Sequence, residues 1–268
     1  MDRVNFEELR KQIFQELNKI RTDPKSYVRN LEQYISYFRP QTNILAKPNE
    51  VPVQTEEGAE AFRNAIEFLR KQKSVSKLEL NDNLNKAAII HANDIGSKGS
   101  TSHEGSDGSS VSDRIDRYCE WTGLCAENLD FGTKDAVNII INLLVDDGIQ
   151  SRPHRRHIFS EKFNFVGIAA ALHKQYETVV VLDYVEQVRE KGTAFFDHDN
   201  YKIDSSDINS LKPKNSLMPE DPDAPEDAVS IKTSKINKSY KGRNVKVTKK
   251  VYSLQNGTTH IVEVEEDF

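Results

Sequence analysis

Three polar segments of the chain contain most of the side chains that could carry out acid–base or metal chemistry. They are SHEGSDGSS (102–110), CAENLDFG (125–132) and DDGIQSRPHRRHIF (146–159). Imidazole and carboxylate groups from separate loops can form a metal site or an acid–base pair when a fold brings them together. The spacing alone does not show that these three segments converge.

The candidate side chains are three histidines and a few acidic residues. They are His103, Glu127, Asp146, Asp147, His154 and His157. In a metal site the imidazoles would be ligands, and in an acid–base site a carboxylate would move the proton. The chain contains no HExxH, GxSxG, P-loop or CxxC motif. The residues therefore indicate a site without indicating a reaction.

The composition argues against several classes of protein. The chain has 268 residues, 29% of them charged, and its net charge of -5 does not suit a protein that coats nucleic acid. No apolar run predicts a transmembrane helix, and the N-terminal segment lacks the apolar core of a secretory signal. We predict a cytoplasmic protein that is not secreted, with the cytoskeleton or a cilium as candidate settings.

The two cysteines, Cys119 and Cys125, are too few for a disulfide framework, which agrees with a reducing compartment. A disulfide across the short loop between them and a pair of free thiols are the two alternatives, and the second suits the cytosol. We expect Cys125 to behave as a small buried apolar side chain and Trp121 to lie in the core.

Hydrophobic periodicity predicts five helices followed by two strands. The helices are expected at 3–21, about 24–38, 56–71, 82–98 and 134–148, with Asn81 or Asp82 as the N-cap of the fourth. The strands are expected in FNFVGIAAALH and ETVVVLDYVEQV, and residues 96–112 are expected to form a polar loop. This order predicts a layered domain of helices and strands over residues 1–190.

Beyond residue 190 the composition changes. Residues 191–230 are acidic and contain prolines, which is typical of a linker, and residues 231–268 combine a basic segment with a predicted β-hairpin. Asn256-Gly257 lies between KVTKKVYSL and TTHIVEVEE and is a strong hairpin signal. One arm is basic and the other acidic, so cross-strand charge pairs are available. Since an isolated hairpin is marginal in water, it should dock on its own domain, a second copy or a partner.

The polar segments also resemble a known family. SHEGSDGSSVSDRI, AENLDFG, DDGIQSRPHRRHIF and FVGIA occur in the order found in the SCP domain, and NKIRTDPKSYVRNLEQY is similar to its opening helix. This is the CAP superfamily of cysteine-rich secretory proteins, antigen 5 and plant pathogenesis-related proteins. The resemblance covers about residues 5–190 and is closest to cysteine-poor bacterial and protist members. It implies an α+β fold, an α-β-α sandwich with a surface cleft, followed here by an extended linker and a C-terminal β-hairpin.

The resemblance also implies a cleft tetrad of two histidines and two acidic residues. Matched singly, the family's residues correspond to His103, Glu127 and His154. The second glutamate falls near Asp146 or Asp147, of which we select Asp146, and the shorter side chain reduces its reach by about one methylene. Two further departures are the replacement of glycines, by Pro153 before His154 and by Ala126 before Glu127.

The resemblance leaves the function of the cleft open. Some relatives bind zinc or another divalent cation through the two histidines, and others bind sterols or fatty acids. One alternative is therefore a metal-dependent hydrolase in which His103 and His154 hold zinc and Glu127 is the base. Lipid or sterol capture is another alternative. His157 and the neighbouring arginines are expected to be structural, with Asp113 or Asp147 as acidic partners of an arginine.

The function that we favour is a non-catalytic binding or scaffold protein that requires no cofactor. It would belong to a larger assembly, such as a cytoskeletal or ciliary one, with the C-terminal tail as its anchor. The expected partner is a protein with an acidic surface, peripheral contact with an anionic membrane is an alternative, and nucleic acid is not expected. The predicted partner-binding residues are Lys246, Lys249, Lys250, Asn256 and Gly257.

Overall fold

The structure is a computed structural model that describes residues 4–190 and the backbone of residues 228–240, 243–254 and 259–267. No helix in these ranges combines the length and the apolar character needed to cross a membrane. The helices are α1 (Phe6–Thr22), α2 (Val28–Ser36), α3 (Ala59–Lys71), α4 (Asp82–Lys98), α5 (Val111–Asp116), α6 (Ala136–Val145) and α7 (Pro153–Phe159), with a 3-10 helix (Pro24–Tyr27) before α2.

The predicted helices are present, with small shifts at their ends. The side chain of Asn81 accepts hydrogen bonds from the backbone N–H groups of Asn83 and Leu84, which identifies it as the N-cap of α4. The predicted helix at 24–38 is divided into the 3-10 helix and α2. Pro24 occupies the first position of the 3-10 helix, where its missing N–H would have had no partner.

Most of the strands form one sheet. They are β3 (Glu79–Leu80), β4 (Cys119–Phe131), β5 (Phe165–His173), β6 (Glu177–Glu190), β7 (Ala228–Tyr240), β8 (Arg243–Leu254) and β9 (Thr259–Asp267). The order across the sheet is β3-β5-β6-β4-β9-β8-β7, with β3 parallel to β5 and the other neighbours antiparallel. The short strands β1 (Ile44–Leu45) and β2 (Val53–Gln54) pair separately.

The described helices cover both faces of this sheet. In β6, Val181 and Val185 pack towards α4 and α5, whereas Val180 and Leu182 pack into the cluster formed with α1, α2, α3, α6 and α7. This alternation follows from the two-residue period of a strand, and burial of each such side chain stabilises the fold by roughly 1.5–3 kcal/mol. The predicted α+β fold with an α-β-α sandwich is therefore confirmed.

The elements that were not predicted from the sequence are α5, α7, the strands β1 to β4 and, in the C-terminal segment, β7. The expectation that all three polar segments are loops was wrong for the second and third ones. Glu127 and Asn128 lie inside the 13-residue strand β4, and His154 and His157 lie in α7. Glycine, glutamate, asparagine and aspartate are all uncommon in strands, so local propensity gave no signal for β4. Trp121 and both cysteines also lie in β4, and all three are buried, as was expected for Trp121 and Cys125.

A buried arginine fixes α7, which carries the third polar segment. Arg21, at the end of α1, is fully buried and donates hydrogen bonds to the carbonyl oxygens of Ser76 (2.8 Å), Ile158 (2.6 Å) and Ser160 (3.0 Å). The last carbonyl groups of a helix have no partner within the helix. Arg21 satisfies those at the end of α7 and so joins α7 to α1.

The C-terminal strands extend the sheet of the domain. β8 and β9 form the predicted hairpin, and the Asn256-Gly257 turn between them lies outside the described residues. β9 pairs with β4 of the domain at Leu124–His260 and Cys125–Thr259, so the hairpin docks on its own domain. β7 is an additional strand that covers the first part of the predicted basic segment. The predicted linker at 191–230 lies outside the described residues, except for its last three residues, which begin β7.

Candidate functional site

Strand β4 divides the candidate site between the two faces of the sheet. Glu127 and Asn128 are consecutive in β4, so their side chains project to opposite faces. Glu127 contacts Arg114 of α5, and Asn128 contacts His157 of α7. Glu127 and Asn128 are adjacent in the sequence but therefore lie on different faces of the sheet and contact different helices.

The four residues of the expected tetrad form two separate histidine–carboxylate pairs. His103 Nδ1 lies 2.7 Å from Glu127 Oε1, and His154 Nδ1 lies 2.8 Å from Asp146 Oδ1. An ionised carboxylate can only accept a hydrogen bond, so Nδ1 is the donor in both pairs. Among the described residues, no hydrogen bond or ion pair links one pair to the other.

Arg114 holds the first pair in place. Its Nη2 lies 2.5 Å from Glu127 Oε2, and both side chains are almost completely buried. Its Nη1 donates to the carbonyl oxygens of Ser109 (2.8 Å) and His103 (3.2 Å). Arg114 therefore neutralises Glu127 and also fixes the loop that carries His103.

The surroundings of Glu127 favour its ionised form. Burial alone would raise the pKa of Glu127, but the hydrogen bond from His103 and the positive charge of Arg114 outweigh it, so its pKa is lowered. His91 of α4 lies 3.5 Å from Glu127 Oε1 and contacts the carbonyl oxygen of Ser102 at 3.2 Å. Burial lowers the pKa of His91, so this imidazole is neutral near pH 7.

A second carboxyl group lies beside Glu127 on β6. Asp183 is the residue directly opposite Glu127 in the antiparallel pairing, and such residues share a face of the sheet. Asp183 is fully buried, and neither of its carboxyl oxygens has a hydrogen-bond partner among the described residues. Burial, followed by the negative charge of Glu127, raises the pKa of Asp183 well above its ordinary value. Asp183 is therefore protonated when Glu127 is ionised.

The second pair closes the connection between α6 and α7. Asp146 is the C-cap of α6 in the left-handed conformation, with φ of 56°. Its Oδ2 accepts the backbone N–H of His154 (2.9 Å), while its Oδ1 accepts Nδ1 of the same residue (2.8 Å). Pro153 occupies the first position of α7, where no N–H is needed. The proline that replaces the family's glycine therefore fits the helix start that positions His154.

The neighbouring Asp147 has a different role. Its two carboxylate oxygens accept the backbone N–H groups of Glu56 (2.7 Å) and Glu57 (2.9 Å). Glu57 in turn forms an ion pair with Arg152. Of the two aspartates that the sequence left open, Asp146 is thus the one that contacts His154.

Arg155, in the same segment, does not form an ion pair with an acidic residue. Arg155 donates to the carbonyl oxygens of Leu144 (2.6 Å) and Val145 (3.2 Å) at the end of α6, and to Asn64 Oδ1 (2.7 Å). The expected partners were Asp113 or Asp147, and this expectation was wrong for Arg155. Unsatisfied carbonyl groups at the end of α6 bind the guanidinium instead.

Two more buried groups lie on the α7 side of β4. His157 Nδ1 lies 2.7 Å from Asn128 Oδ1, and Asn128 Nδ2 donates to the carbonyl oxygen of His154 (3.2 Å). Burial, followed by the positive charge of His154, lowers the pKa of His157 to about 3. Asp130 accepts a hydrogen bond from Asn142 (2.8 Å), and burial raises the pKa of Asp130 to about 7.

The donor set does not fit a catalytic zinc centre. Such a centre takes three protein ligands, whereas no group of three or more histidine, cysteine, aspartate or glutamate side chains among the described residues is arranged to hold a metal ion. His103 and His154 offer at most the two Nε2 atoms that remain after each Nδ1 has bound its carboxylate. No hydrolytic step through a metal follows from this geometry.

The predicted partner-binding residues lie in the C-terminal strands. Lys246, Lys249 and Lys250 belong to β8, and Asn256 and Gly257 lie outside the described residues. The described surface also contains two cavities, of about 240 and 360 Å³. Charged side chains and serines line much of the first, and tyrosine, amide and charged side chains line much of the second.

The fold and the site together define a class of protein. The three-layered domain is what the SCP resemblance implied, and the four residues that the resemblance assigned to one cleft tetrad form two histidine–carboxylate pairs. The profile of the Cysteine-rich secretory protein family (CAP) matches residues 18–184, which is more than half of the chain. The chain belongs to this family.

Two solved structures are similar to parts of the chain. An extracellular protein containing an SCP domain from Bacillus anthracis is 19% identical, with a TM-score of 0.35, and the match covers 47% of this chain and 38% of that one. An outer surface protein from Borrelia burgdorferi is 20% identical, with a TM-score of 0.37, and the match covers 49% of this chain and 96% of that one. The chain thus spans well under half the length of the Bacillus protein. A search among curated proteins found no match.

Several residues of the site were not found from the sequence. These residues are His91, Arg114, Asp130 and Asp183. Arg114 was recoverable in principle, because SSVSDRI contains the serine and aspartate of a capping box that starts a helix. Asp183 was also recoverable, as the charged residue in an apolar strand segment, VVVLDYV.

Proposed function

We propose that the chain is a non-catalytic CAP binding module that belongs to a larger protein assembly. The observation that carries this proposal is that both carboxylate oxygens of Glu127 are occupied, one by His103 and the other by Arg114. The C-terminal strands would then supply the attachment to a protein partner. A cytoskeletal or ciliary assembly inside the cell is the setting that we propose.

Glu127 lacks what a general base requires. A base must reach the proton that it removes, directly or through one water molecule. Glu127 is only 1% exposed, and its ion pair with Arg114 would have to break before an oxygen became available. Its lowered pKa also makes it a weaker base than an ordinary glutamate. These features favour a structural role for the charge.

The C-terminal strands support the binding part of the proposal. β9 continues the sheet of the domain, and β8 and β7 extend it further. The two added strands β7 and β8 contain seven lysines and arginines and no acidic residue, which suits a partner with an acidic surface. An anionic membrane surface has the same charge and is the alternative that the experiment must separate.

Weak binding of a divalent cation is a second candidate function. When one ring nitrogen of a metal-binding histidine donates a hydrogen bond to a carboxylate, the tautomer is fixed and the other nitrogen is left for the metal. Both His103 and His154 have this arrangement. Calorimetric titration with zinc should show uptake that disappears in the His103→Ala, His154→Ala double variant. Equal heats for both proteins would exclude this candidate.

The main experiment compares the full-length chain with residues 1–190, both tagged, in a detergent-extracted cytoskeletal fraction. Retention of the full-length chain alone is the predicted result. Retention of both would assign the partner to the domain, and loss of both would contradict the proposed assembly. Co-sedimentation of the same two proteins with phosphatidylserine vesicles provides the membrane arm. Binding to vesicles without cytoskeletal retention would show that the partner is an anionic membrane and not a protein.

A further inference from the structure

The three C-terminal strands differ sharply in charge. β7 contains Lys232, Lys235 and Lys238, and β8 contains Arg243, Lys246, Lys249 and Lys250, without any acidic residue in either strand. β9 has the opposite character, with Glu263, Glu265, Glu266 and Asp267. Because β8 lies between the other two strands, the acidic strand borders only one of the two basic strands.

The register shows which lysines already have acidic neighbours. Lys246 of β8 is paired with Glu266 of β9, and Lys249 is paired with Glu263. Residues directly opposite each other in antiparallel strands interact, and opposite charges there are stabilising. Two of the three lysines that the sequence indicated for partner binding therefore lie opposite glutamates of the same chain.

The lysines of β7 have no such neighbours in the described strands. Lys232 is paired with Val251, Lys235 with Thr248 and Lys238 with Val245. β7 is also the last strand of the described sheet, so its outer backbone groups face no described strand. It runs for 13 residues without proline or glycine, which is long for the last strand of a sheet.

From this arrangement we infer that the β7 edge accepts an acidic, extended segment of a protein partner as an additional strand. The backbone of the segment would continue the hydrogen bonding of the sheet, and its carboxylates would lie opposite Lys232, Lys235 and Lys238. The pairing of β8 with β9 is the precedent within the chain for a lysine-rich strand beside a glutamate-rich one. This inference rests on the proposed function. It assigns the partner contact to β7, whereas the sequence predicted it for the lysines of β8.

Lysines on an edge strand also have a simpler use, since they prevent unwanted pairing between sheets. The two roles differ in their response to an acidic strand. Protective lysines would give weak binding that depends on charge alone, whereas strand addition also requires the backbone N–H groups of the incoming segment. An experiment that varies charge and backbone separately distinguishes them.

The test uses the full-length chain and a fluorescent peptide that has a glutamate at every third position and valines between them, which is the spacing of Lys232, Lys235 and Lys238, with binding followed by anisotropy. We expect saturable binding that weakens about tenfold in the Lys232→Gln, Lys235→Gln, Lys238→Gln variant. The matched control is Lys25→Gln, Lys73→Gln, Lys86→Gln, which removes the same charge from exposed positions on the domain and should bind as wild type. Urea unfolding of both variants establishes that the domain is intact.

Two further peptides complete the test. A peptide N-methylated at every residue keeps its carboxylates but has no N–H group on either edge of the strand, and its binding should be lost. A glutamine–valine peptide should bind about tenfold more weakly than the acidic one. Equal binding of the methylated peptide, or equal loss in both lysine variants, would overturn the inference. Peptide binding at β7 without cytoskeletal retention would instead contradict the proposed function and leave the inference standing.

Discussion

The two histidine–carboxylate pairs of the domain have similar distances but are built differently. The pair of Asp146 and His154 joins residues eight positions apart and closes the connection between α6 and α7. The pair of His103 and Glu127 joins a loop to the central strand, and its charge is balanced by Arg114 from a third element. The first kind of pair is a local cap, and the second is the centre of a buried network.

Each face of the sheet also contains a buried carboxyl group that is not part of a pair, and these differ as well. The raised pKa of Asp183 results from burial and from the charge of Glu127, so it depends on the network. The raised pKa of Asp130 results from burial, which is partly opposed by hydrogen bonds from Asn142 and Thr133. The charge state of Asp183 therefore depends on a neighbouring carboxylate, whereas that of Asp130 depends mainly on burial. Substitutions on the two faces should show this difference.

The largest effect is expected for Arg114→Met. The variant keeps a side chain of similar length but leaves Glu127 buried without its guanidinium partner. Removing one partner of a buried ion pair costs about 3–5 kcal/mol, because the other charge is left uncompensated. Urea denaturation at pH 7 measures this loss. The matched control is Arg117→Met, which removes an exposed ion pair with Asp107 and should change stability by under about 1 kcal/mol.

The next largest effect is the contribution of Asp130 to the pH dependence of stability. Burial raises the pKa of Asp130 from 3.8 to about 7, so between these values the folded state binds more protons than the unfolded state. The stabilisation is complete below about pH 4 and is lost as the pH rises through 7, for a total on the order of 4 kcal/mol. Asp130→Asn should remove this slope. Stability measured from pH 4 to pH 8 would contradict the assignment if wild type and variant ran parallel.

A smaller, non-additive effect is expected for Asp183. In Glu127→Gln, the negative charge that keeps Asp183 protonated is gone, so Asp183 can ionise and partly replace Glu127 beside Arg114. The double variant Glu127→Gln, Asp183→Asn lacks both carboxylates. Its loss of stability should exceed the sum of the single losses by about 1–2 kcal/mol. Additive losses would show that the two carboxyl groups do not share the charge.

The smallest effect is expected for Asp146→Asn. The amide oxygen can still accept one of the two hydrogen bonds from His154, so only part of the cap is lost. We expect destabilisation of about 1 kcal/mol in urea denaturation. Asp147→Asn, in the same loop, provides the comparison for loss of a carboxylate that binds two backbone N–H groups. A loss at Asp146 as large as that of Arg114→Met would remove the distinction between the two faces.

The sequence predicted the parts of the molecule that depend on local pattern. The long amphipathic helices, the N-cap at Asn81, the strands β5 and β6 and the β8–β9 hairpin all follow from periodicity or turn chemistry. The four blocks of the CAP resemblance also placed His103, Glu127, Asp146 and His154. The pairing of Asp146 with His154 needed little more, since both lie in one short segment.

The sequence did not predict the network around Glu127, for a physical reason. β4 is stable as a strand because Arg114 and His103 satisfy a charge that would otherwise be costly to bury, and these partners come from elsewhere in the chain. The state of Asp183 likewise depends on the strand register, which places it opposite Glu127. Such information exists only once the tertiary contacts are formed.

The most direct test of this account measures Glu127→Gln in two backgrounds by urea denaturation. In wild type the substitution should destabilise the protein, because it weakens the ion pair with Arg114. In Arg114→Met the same substitution should restore stability by about 1–3 kcal/mol, because it removes an uncompensated buried charge. This change of sign is the predicted result. An equal cost in both backgrounds would mean that Arg114 does not hold Glu127, and the case against Glu127 as a catalytic base would fail.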